Sequence, residues 1–452
     1  MLRWLLGGRE AQGPAEKTSL LFIGEEQPKN CYTELQVLKG HFDIVRFLVQ
    51  IDDFRFASAG DDGLVFVWNI QTGERLHELR GHTQQITAIT GFKMKTADIW
   101  CSMLLTASSD RTISLWDVDN GNRVHTVSEL QSSVKCLHAL ERLDLWLSGG
   151  NDLCVWNRNF ELLCKMEPFA DAGITTFIEL PKNCIVAAVD KELIIYRLTL
   201  STCDEQKWDI QEIRRLRDHQ DSIRALINVN DWAFASGSHI GEIIIWDSLS
   251  WTVIANTRVF AETANANEQP EIKITPFKQQ EMSIQHLASD GEYVVAAVGN
   301  GIYLYNLLTR NVTAYKKNAH DSNVLQILKF SEKHLISCSE DGSVRMWELQ
   351  DLPLAAEPAS SGFFGMWGFG RPTKPTSQHL KKTPESAPQR TLELMGDLIG
   401  HSGAVQMFLY FKDNGLVTCS ADNLIILWKD GARESRLRSI ALFQKLEQNS
   451  RM

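Results

Sequence analysis

A histidine is followed twenty-seven positions later by a tryptophan four times in this chain: His41 and Trp68, His219 and Trp246, His320 and Trp347, His401 and Trp428. His82 and Trp116 form a fifth pair, longer by seven, as an insertion would make it. Ten residues before each of these tryptophans stands a hydroxyl residue, Ser58, Thr106, Ser236, Ser337 or Thr418. In four of the five units an Asp falls six before the Trp, at Asp62, Asp110, Asp341 and Asp422. Spacing that is kept while the intervening residues drift marks a repeated structural unit. A period of this size marks an array, a solenoid or a propeller.

The residues inside each unit choose among these. Between His41 and Trp68 lie two short apolar runs, 44–49 and 54–57, then an Asp-Asp-Gly turn and the run Leu64-Val-Phe-Val-Trp68. Runs of four to six β-branched and aromatic residues separated by Asp/Gly turns predict strands. A fourth run after the Trp, such as 75–79, completes four strands, which is one propeller blade. Weaker copies fill the gaps. Ser148 to Trp156 repeats the pattern with a shortened turn, while 190–196 and 299–305 place Tyr196 and Tyr305 where Trp is expected. Blade-ending aromatics at 68, 116, 156, 196, 246, 305, 347 and 428 count eight blades, or seven if one weak copy is not a blade.

The pairs Gly40-His41, Gly81-His82 and Gly400-His401, with Trp116-Asp117 and Trp246-Asp247, resemble the WD-repeat family. The resemblance implies an all-β ring. It also implies that the Ser/Thr hydroxyl takes the buried indole proton, that His links it onward, and that the turn Asp closes the chain. A buried donor left unpaired costs roughly 1–3 kcal/mol, so such a network fixes blade geometry. Asp, His and Ser in one cluster also read as a hydrolase triad, but a catalytic triad occurs once and this set occurs five times. The fifth blade departs, with Ile240 at the Asp position, and the fourth and sixth lack the hydroxyl too; these are expected to rely on apolar packing.

Composition narrows function by exclusion. With 452 residues, nearly all of 31–429 assigned to blades, one large domain is expected, preceded by a flexible segment 1–30 and followed by a helical tail 430–452. A net charge of −10 disfavours nucleic acid as a partner. No phosphate-binding Gly-rich loop and no metalloprotease or nucleophile-elbow motif occurs, so no enzyme activity and no cofactor are expected. Nine cysteines without a Cys-x-x-Cys pair argue against a zinc site and a disulfide framework, and for buried reduced thiols such as Cys154, Cys184 and Cys338 in a cytoplasmic protein. The apolar patch at the start, within 1–6, is too short for a signal peptide, and no run approaches membrane-spanning length.

Two interruptions carry the functional expectations. The first is an insert, 351–390, read as a long disordered loop because it holds six of the twelve prolines. Its centre concentrates Phe363, Phe364, Met366, Trp367 and Phe369 among glycines, a density unusual for a solvated segment. Those side chains could cap the propeller's own face, anchor in a partner's pocket, or enter a membrane interface. The second is the tail from Gly431 to Glu447, read as a helix of about four turns, with Ile440, Leu442, Phe443 and Leu446 loosely on one side for the ring or for a partner helix. An orphan run, 33–38, precedes the first unit, while the last unit lacks a fourth strand; the former is expected to complete the latter and close the ring.

Residues 148–157, 218–221, 362–370 and 424–428 are similar to one particular member of the WD-repeat family. That resemblance implies a non-catalytic scaffold in a stable complex with two DENN-domain proteins, acting on small GTPases, autophagy and lysosome function. It further implies recruitment to the lysosomal membrane through a cationic amino-acid transporter, so that membrane association is indirect. The aromatic insert would be the membrane-side anchor. Two alternatives stay open, a ubiquitin-ligase substrate receptor and a peptide- or histone-reading propeller. The first usually shows Arg two residues after a blade-ending Trp-Asp, and Trp116-Asp-Val-Asp119 and Trp246-Asp-Ser-Leu249 lack it.

Overall fold

The computed structural model describes residues 30–96, 99–128, 130–166, 173–201, 207–258, 282–352 and 390–450. The expected flexible segment before Asn30 and the aromatic centre of the insert lie outside the described residues. Within them, thirty-two strands form eight four-stranded sheets, so the ring has eight blades, and all three weak copies are complete blades.

Why these residues form these strands follows from where each strand sits. The first strands of successive blades touch one another around the ring, which makes them the inner wall. The second and third strands are covered on both faces by neighbouring blades. They accordingly read as continuous apolar runs, as in Cys184–Val189 or Glu242–Asp247. Fourth strands face solvent and carry polar residues, as in Arg75–Leu79. The hydrophobic core is therefore divided among the seams. Leu105 and Ile113 of blade two meet Leu137, Trp146 and Trp156 of blade three, Trp116 packs against Ala57 and Val67 of blade one, and Ile185 and Tyr196 of blade four meet Leu147 and Val155.

Seven blades share a local irregularity. The pairing between third and fourth strands shifts register at the residue before the aromatic, at Val67/Trp68, Leu115/Trp116, Val155/Trp156, Ile195/Tyr196, Ile245/Trp246, Leu304/Tyr305 and Met346/Trp347. A β-bulge of this kind sharpens the twist and re-aims the side chain. The residue after the turn carboxylate adopts a left-handed backbone at Gly63 (φ 72°) and Gly342 (φ 84°), and Arg111 (φ 65°) and Asn423 (φ 68°) hold the same place. That conformation explains the recurring Asp-Gly.

Blade eight is built from both ends of the chain. Glu34–Leu38 pairs antiparallel with Ile425–Lys429 in unbroken register, Leu35 opposite Trp428 and Leu38 opposite Ile425. Leu38, Val417 and Leu427 then pack against Val45, Phe56 and Trp68 of blade one, so the seam between last and first blades has an apolar core like the others. The orphan run closes the ring as the sequence predicted.

Candidate interaction surfaces

The repeated polar set assembles in all five expected blades. In blade one the Trp68 indole N–H donates to Ser58 Oγ at 2.9 Å, Ser58 Oγ lies 2.9 Å from His41 Nε2, and His41 Nδ1 lies 2.8 Å from Asp62 Oδ2. Trp347, Ser337, His320 and Asp341 repeat this at 2.8, 2.7 and 3.0 Å, and Trp428, Thr418, His401 and Asp422 at 2.9, 2.7 and 3.0 Å. Trp116, Thr106, His82 and Asp110 follow at 2.8, 2.8 and 3.2 Å. The hydroxyl already accepts from the indole, so its own proton goes to Nε2; Nδ1 then carries the ring proton and donates to the carboxylate. Every hydroxyl in these sets is fully buried and none can meet a substrate. The triad-like cluster is a structural clamp.

The electrostatics match a neutral imidazole. Burial, which disfavours the charged ring, pushes His82, His219 and His401 below the ordinary histidine value, against the raising effect of their carboxylates. For Asp62 burial would raise the carboxyl, but hydrogen bonds from His41 and the amides of Leu64 and Phe42 more than offset it and hold it low. Asp110, Asp341 and Asp422 are held low in the same manner, burial being outweighed by hydrogen bonds to side chains and amides.

Blade five corrects one expectation. It does not fall back on apolar packing, because Glu242 Oε2 sits 3.1 Å from His219 Nδ1 and replaces the missing Asp, while Trp246 and His219 reach Ser236 at 2.8 and 2.6 Å. Glu242 lies six residues after Ser236, where blades two and seven carry Thr112 and Ser343, each also bonded to its histidine, at 3.0 and 3.1 Å. The longer glutamate side chain reaches from there to the carboxylate position. A polar residue six after the hydroxyl was the signal available in the sequence. Blade three keeps Trp156 on Ser148 at 2.9 Å, with a turn two residues shorter than the five-blade spacing of ten. Tyr196 of blade four is fully buried in an apolar seam, and its hydroxyl has no hydrogen-bond partner among the described residues.

The two interruptions leave the ring on one face. The insert departs from the third strand of blade seven, Ser343–Asp351, and returns into the fourth, Arg390–Ile399, with the ladder intact to the pair Asp351 and Arg390. Arg390 Nε donates to Asp351 Oδ1 at 2.7 Å, and its Nη1 to Tyr293 Oη at 3.4 Å. These residues border a charged cleft of about 330 Å³ that Asp290, Lys329, Glu332 and Lys333 complete. The insert's Phe363, Phe364, Met366, Trp367 and Phe369 lie outside the described residues.

The tail likewise follows the third strand of blade eight. It is one helix, Gly431–Ser450, three residues longer than predicted. Asp430 Oδ1 accepts the amides of Ala432 and Arg433 and starts it, a standard N-cap. The Gly431 amide donates to Thr33 Oγ1 at 3.1 Å, and Arg438 donates to both oxygens of Glu34 at 3.0 and 3.1 Å, which ties the helix to the closing strand. Past the Arg438 tie the helix stands off the ring, and the apolar side chains Leu437, Ile440, Leu442 and Phe443 are 49, 53, 59 and 68% exposed. The side chain of Leu446 is outside the described set.

Other chemistry is sparse. Among the described residues no group of three or more His, Cys, Asp or Glu could hold a metal ion. The eight described cysteines are free, and burial pushes the Cys136 thiol up to about 12 and those of Cys154 and Cys164 to about 11.

Comparison with known proteins agrees with this architecture. A sequence model of the WDR41 β-propeller matches residues 1–438. The chain is 59% identical to human WD repeat-containing protein 41 over 99% of its own length and 98% of that protein's, and 58% identical to the mouse protein over the same shares. Among solved structures it resembles a computationally designed protein, Ika8, with a TM-score of 0.61 and 20% identity, covering 87% of this chain and 98% of that one.

Proposed function

This chain belongs to the WDR41 β-propeller family, and from that premise we propose that it is the scaffold subunit of a complex with two DENN-domain proteins, acting in small-GTPase regulation, autophagy and lysosome function. In this reading the protein is cytoplasmic and brings the complex to the lysosomal membrane by docking on a cationic amino-acid transporter. Its coarser half, a WD-repeat scaffold, rests on the family and the fold. Among the described residues, the five clusters that resemble a catalytic triad are consumed in holding blades together.

The observation that supports the division of labour is the placement of the two interruptions. Insert and helix leave the same face from neighbouring blades, each after a third strand, and each is tied down at its root by an ion pair, Asp351 with Arg390 and Glu34 with Arg438. A partner can therefore engage either one without prising open the ring. The helix presents apolar side chains suited to a soluble partner's groove, and the insert supplies Phe363, Phe364 and Trp367 for the membrane-side transporter.

Lysosomal recruitment under conditions that call the complex to the membrane tests this. Changing Phe363, Phe364 and Trp367 to Ala should abolish recruitment and leave the DENN-domain partners bound; changing Ile440, Leu442 and Phe443 to Ala should do the reverse. Recruitment that survives the first set of changes contradicts the anchor assignment.

A further inference from the structure

Blade three differs from its neighbours in a way that leaves a receptor behind. In blades one, five, seven and eight the histidine stands seventeen residues before the hydroxyl it bonds. Seventeen before Ser148 is Gln131, and Gln131 is exposed. The hydroxyl of the set is still present as Ser148, to which Trp156 donates, and Asp152 stands four residues before the Trp, where blade five carries the Glu242 that bonds its histidine. What the imidazole fills elsewhere is here an open cavity of about 380 Å³, lined by Gln131, Ser148, Asp152 and Trp156 together with Val127, Leu130, Phe160 and Leu162. That volume falls within the roughly 300–1,000 Å³ of ordinary ligand sites.

We propose that this cavity binds an imidazole, carried by a histidine of an extended segment of a partner protein, which completes between Ser148 and Asp152 the chain that five other blades complete internally.

The chemistry is specified by the chain's own examples. Ser148 accepts the Trp156 indole proton at 2.9 Å, so its remaining capacity is as a donor. Its cross-strand neighbour is Cys154, whose sulfur is a weak acceptor that an imidazole nitrogen outcompetes. Lys165 Nζ holds Asp152 Oδ2 at 2.9 Å, which leaves the second oxygen to accept a ring N–H. Asp62 shows the capacity: it takes His41, the Phe42 amide and the Leu64 amide together. A ligand that accepts at one ring nitrogen and donates at the other is an imidazole. The space exceeds one ring, and the additional walls, Val127, Leu130 and Leu162, are apolar, which fits a side chain next to the histidine in a peptide better than a free small molecule.

The polar end of the site, at Gln131, Ser148 and Asp152, lies at the connection into blade three and its second-to-third hairpin, on the face opposite the insert and the tail helix, while Phe160 and Leu162 wall the cavity toward the other face. It is therefore independent of the docking roles proposed above, and its failure would leave them standing.

Titration of the full-length protein with free imidazole at pH 8, above the ~6.5 of the ring, tests the inference, followed by the thermal midpoint and by the fluorine resonance of 5-fluorotryptophan at Trp156, assigned with Trp156→Phe. Imidazole should bind saturably and raise the midpoint. N-methylimidazole, which has no N–H for Asp152, should bind at least tenfold more weakly, and Gln131→His should abolish the response by filling the slot from within. Acetyl-Leu-His-Leu-amide should bind at least tenfold more tightly than imidazole, and its Ala counterpart should not bind. Equal binding of imidazole and N-methylimidazole, or none of either, overturns the site. A peptide no tighter than free imidazole overturns the assignment to a partner segment. The contrast between the two imidazoles uses the unaltered protein, so it decides the matter even if Gln131→His does not fold.

Discussion

Blades four and seven solve one packing problem by different chemistry. Blade seven clamps Trp347 through Ser337, His320 and Asp341, four polar groups whose hydrogen-bonding capacity is matched in an otherwise apolar seam. Blade four puts Tyr196 at the same point, fully buried among Ile185, Leu153 and Leu198, with its hydroxyl unpartnered among the described residues. Both place the aromatic directly after the same β-bulge, at Met346/Trp347 and Ile195/Tyr196. The two-sided burial of the third strand thus defines the blade, the bulge accompanies it in seven of the eight, and the polar clamp is an added constraint that some blades dispense with.

The largest effect bears on a blade that needs more than either device. Removing residues 1–40 deletes the closing strand, takes Leu38 from the seam with blade one, and leaves Ile425–Lys429 as an unpaired edge despite the intact clamp at Trp428. Cooperative unfolding of the whole ring should be lost, by calorimetry or denaturant titration; a truncated chain that unfolds as before would show that closure is dispensable.

Next come single atoms in the two compared blades. Ser337→Ala leaves the Trp347 N–H and His320 Nε2 unpaired and should destabilise by about 2–6 kcal/mol, from roughly 1–3 kcal/mol for each of the two buried groups. Tyr196→Phe removes a hydroxyl that makes no hydrogen bond and should be neutral or stabilise by up to about 1 kcal/mol. Equal losses in urea midpoints would erase the distinction between the blades. Glu242→Ala should cost about 1–3 kcal/mol by orphaning His219 Nδ1, and adding Ile240→Asp should recover at least half of it.

The smallest effect at any one step is on pH. His82, His219 and His401 have depressed values in the folded chain, chiefly through burial, so the unfolded chain binds more protons between those values and ~6.5. Their contribution to stability is complete above ~6.5 and is lost as pH falls through the folded values. His286 of blade six, which has no clamp, is held at about 4 by burial alone and acts in the same direction. Stability should therefore decline from pH 6.5 toward 5, with proton uptake on unfolding, and a flat profile over that range would contradict neutral buried rings.

Much of the fold is legible in the sequence because its chemistry is local. His, hydroxyl, Asp and Trp recur at fixed offsets, since a hairpin of set length carries three of them. Tyr196 and Tyr305 were recognisable from their turns even without the clamp. Glu242 was not, because it enters the carboxylate site from a different register, and a longer side chain compensates for two residues of offset. Gln131 could be counted into the histidine frame, but its exposure and the cavity beside it belong to tertiary packing. The candidate docking elements were visible only as interruptions; that insert and helix emerge on one face of adjacent blades follows from topology, which spacing does not encode.

The central claim, a closed ring whose insert and tail helix dock different partners, is tested most directly by affinity purification with mass spectrometry from cell lysate, comparing the intact chain with one lacking residues 362–370. The account predicts that a lysosomal membrane transporter disappears from the purified set while two DENN-domain proteins remain at unchanged stoichiometry. An unchanged set would contradict it, returning the insert's aromatics to the propeller's own surface and leaving the tail helix and blade faces as the docking elements.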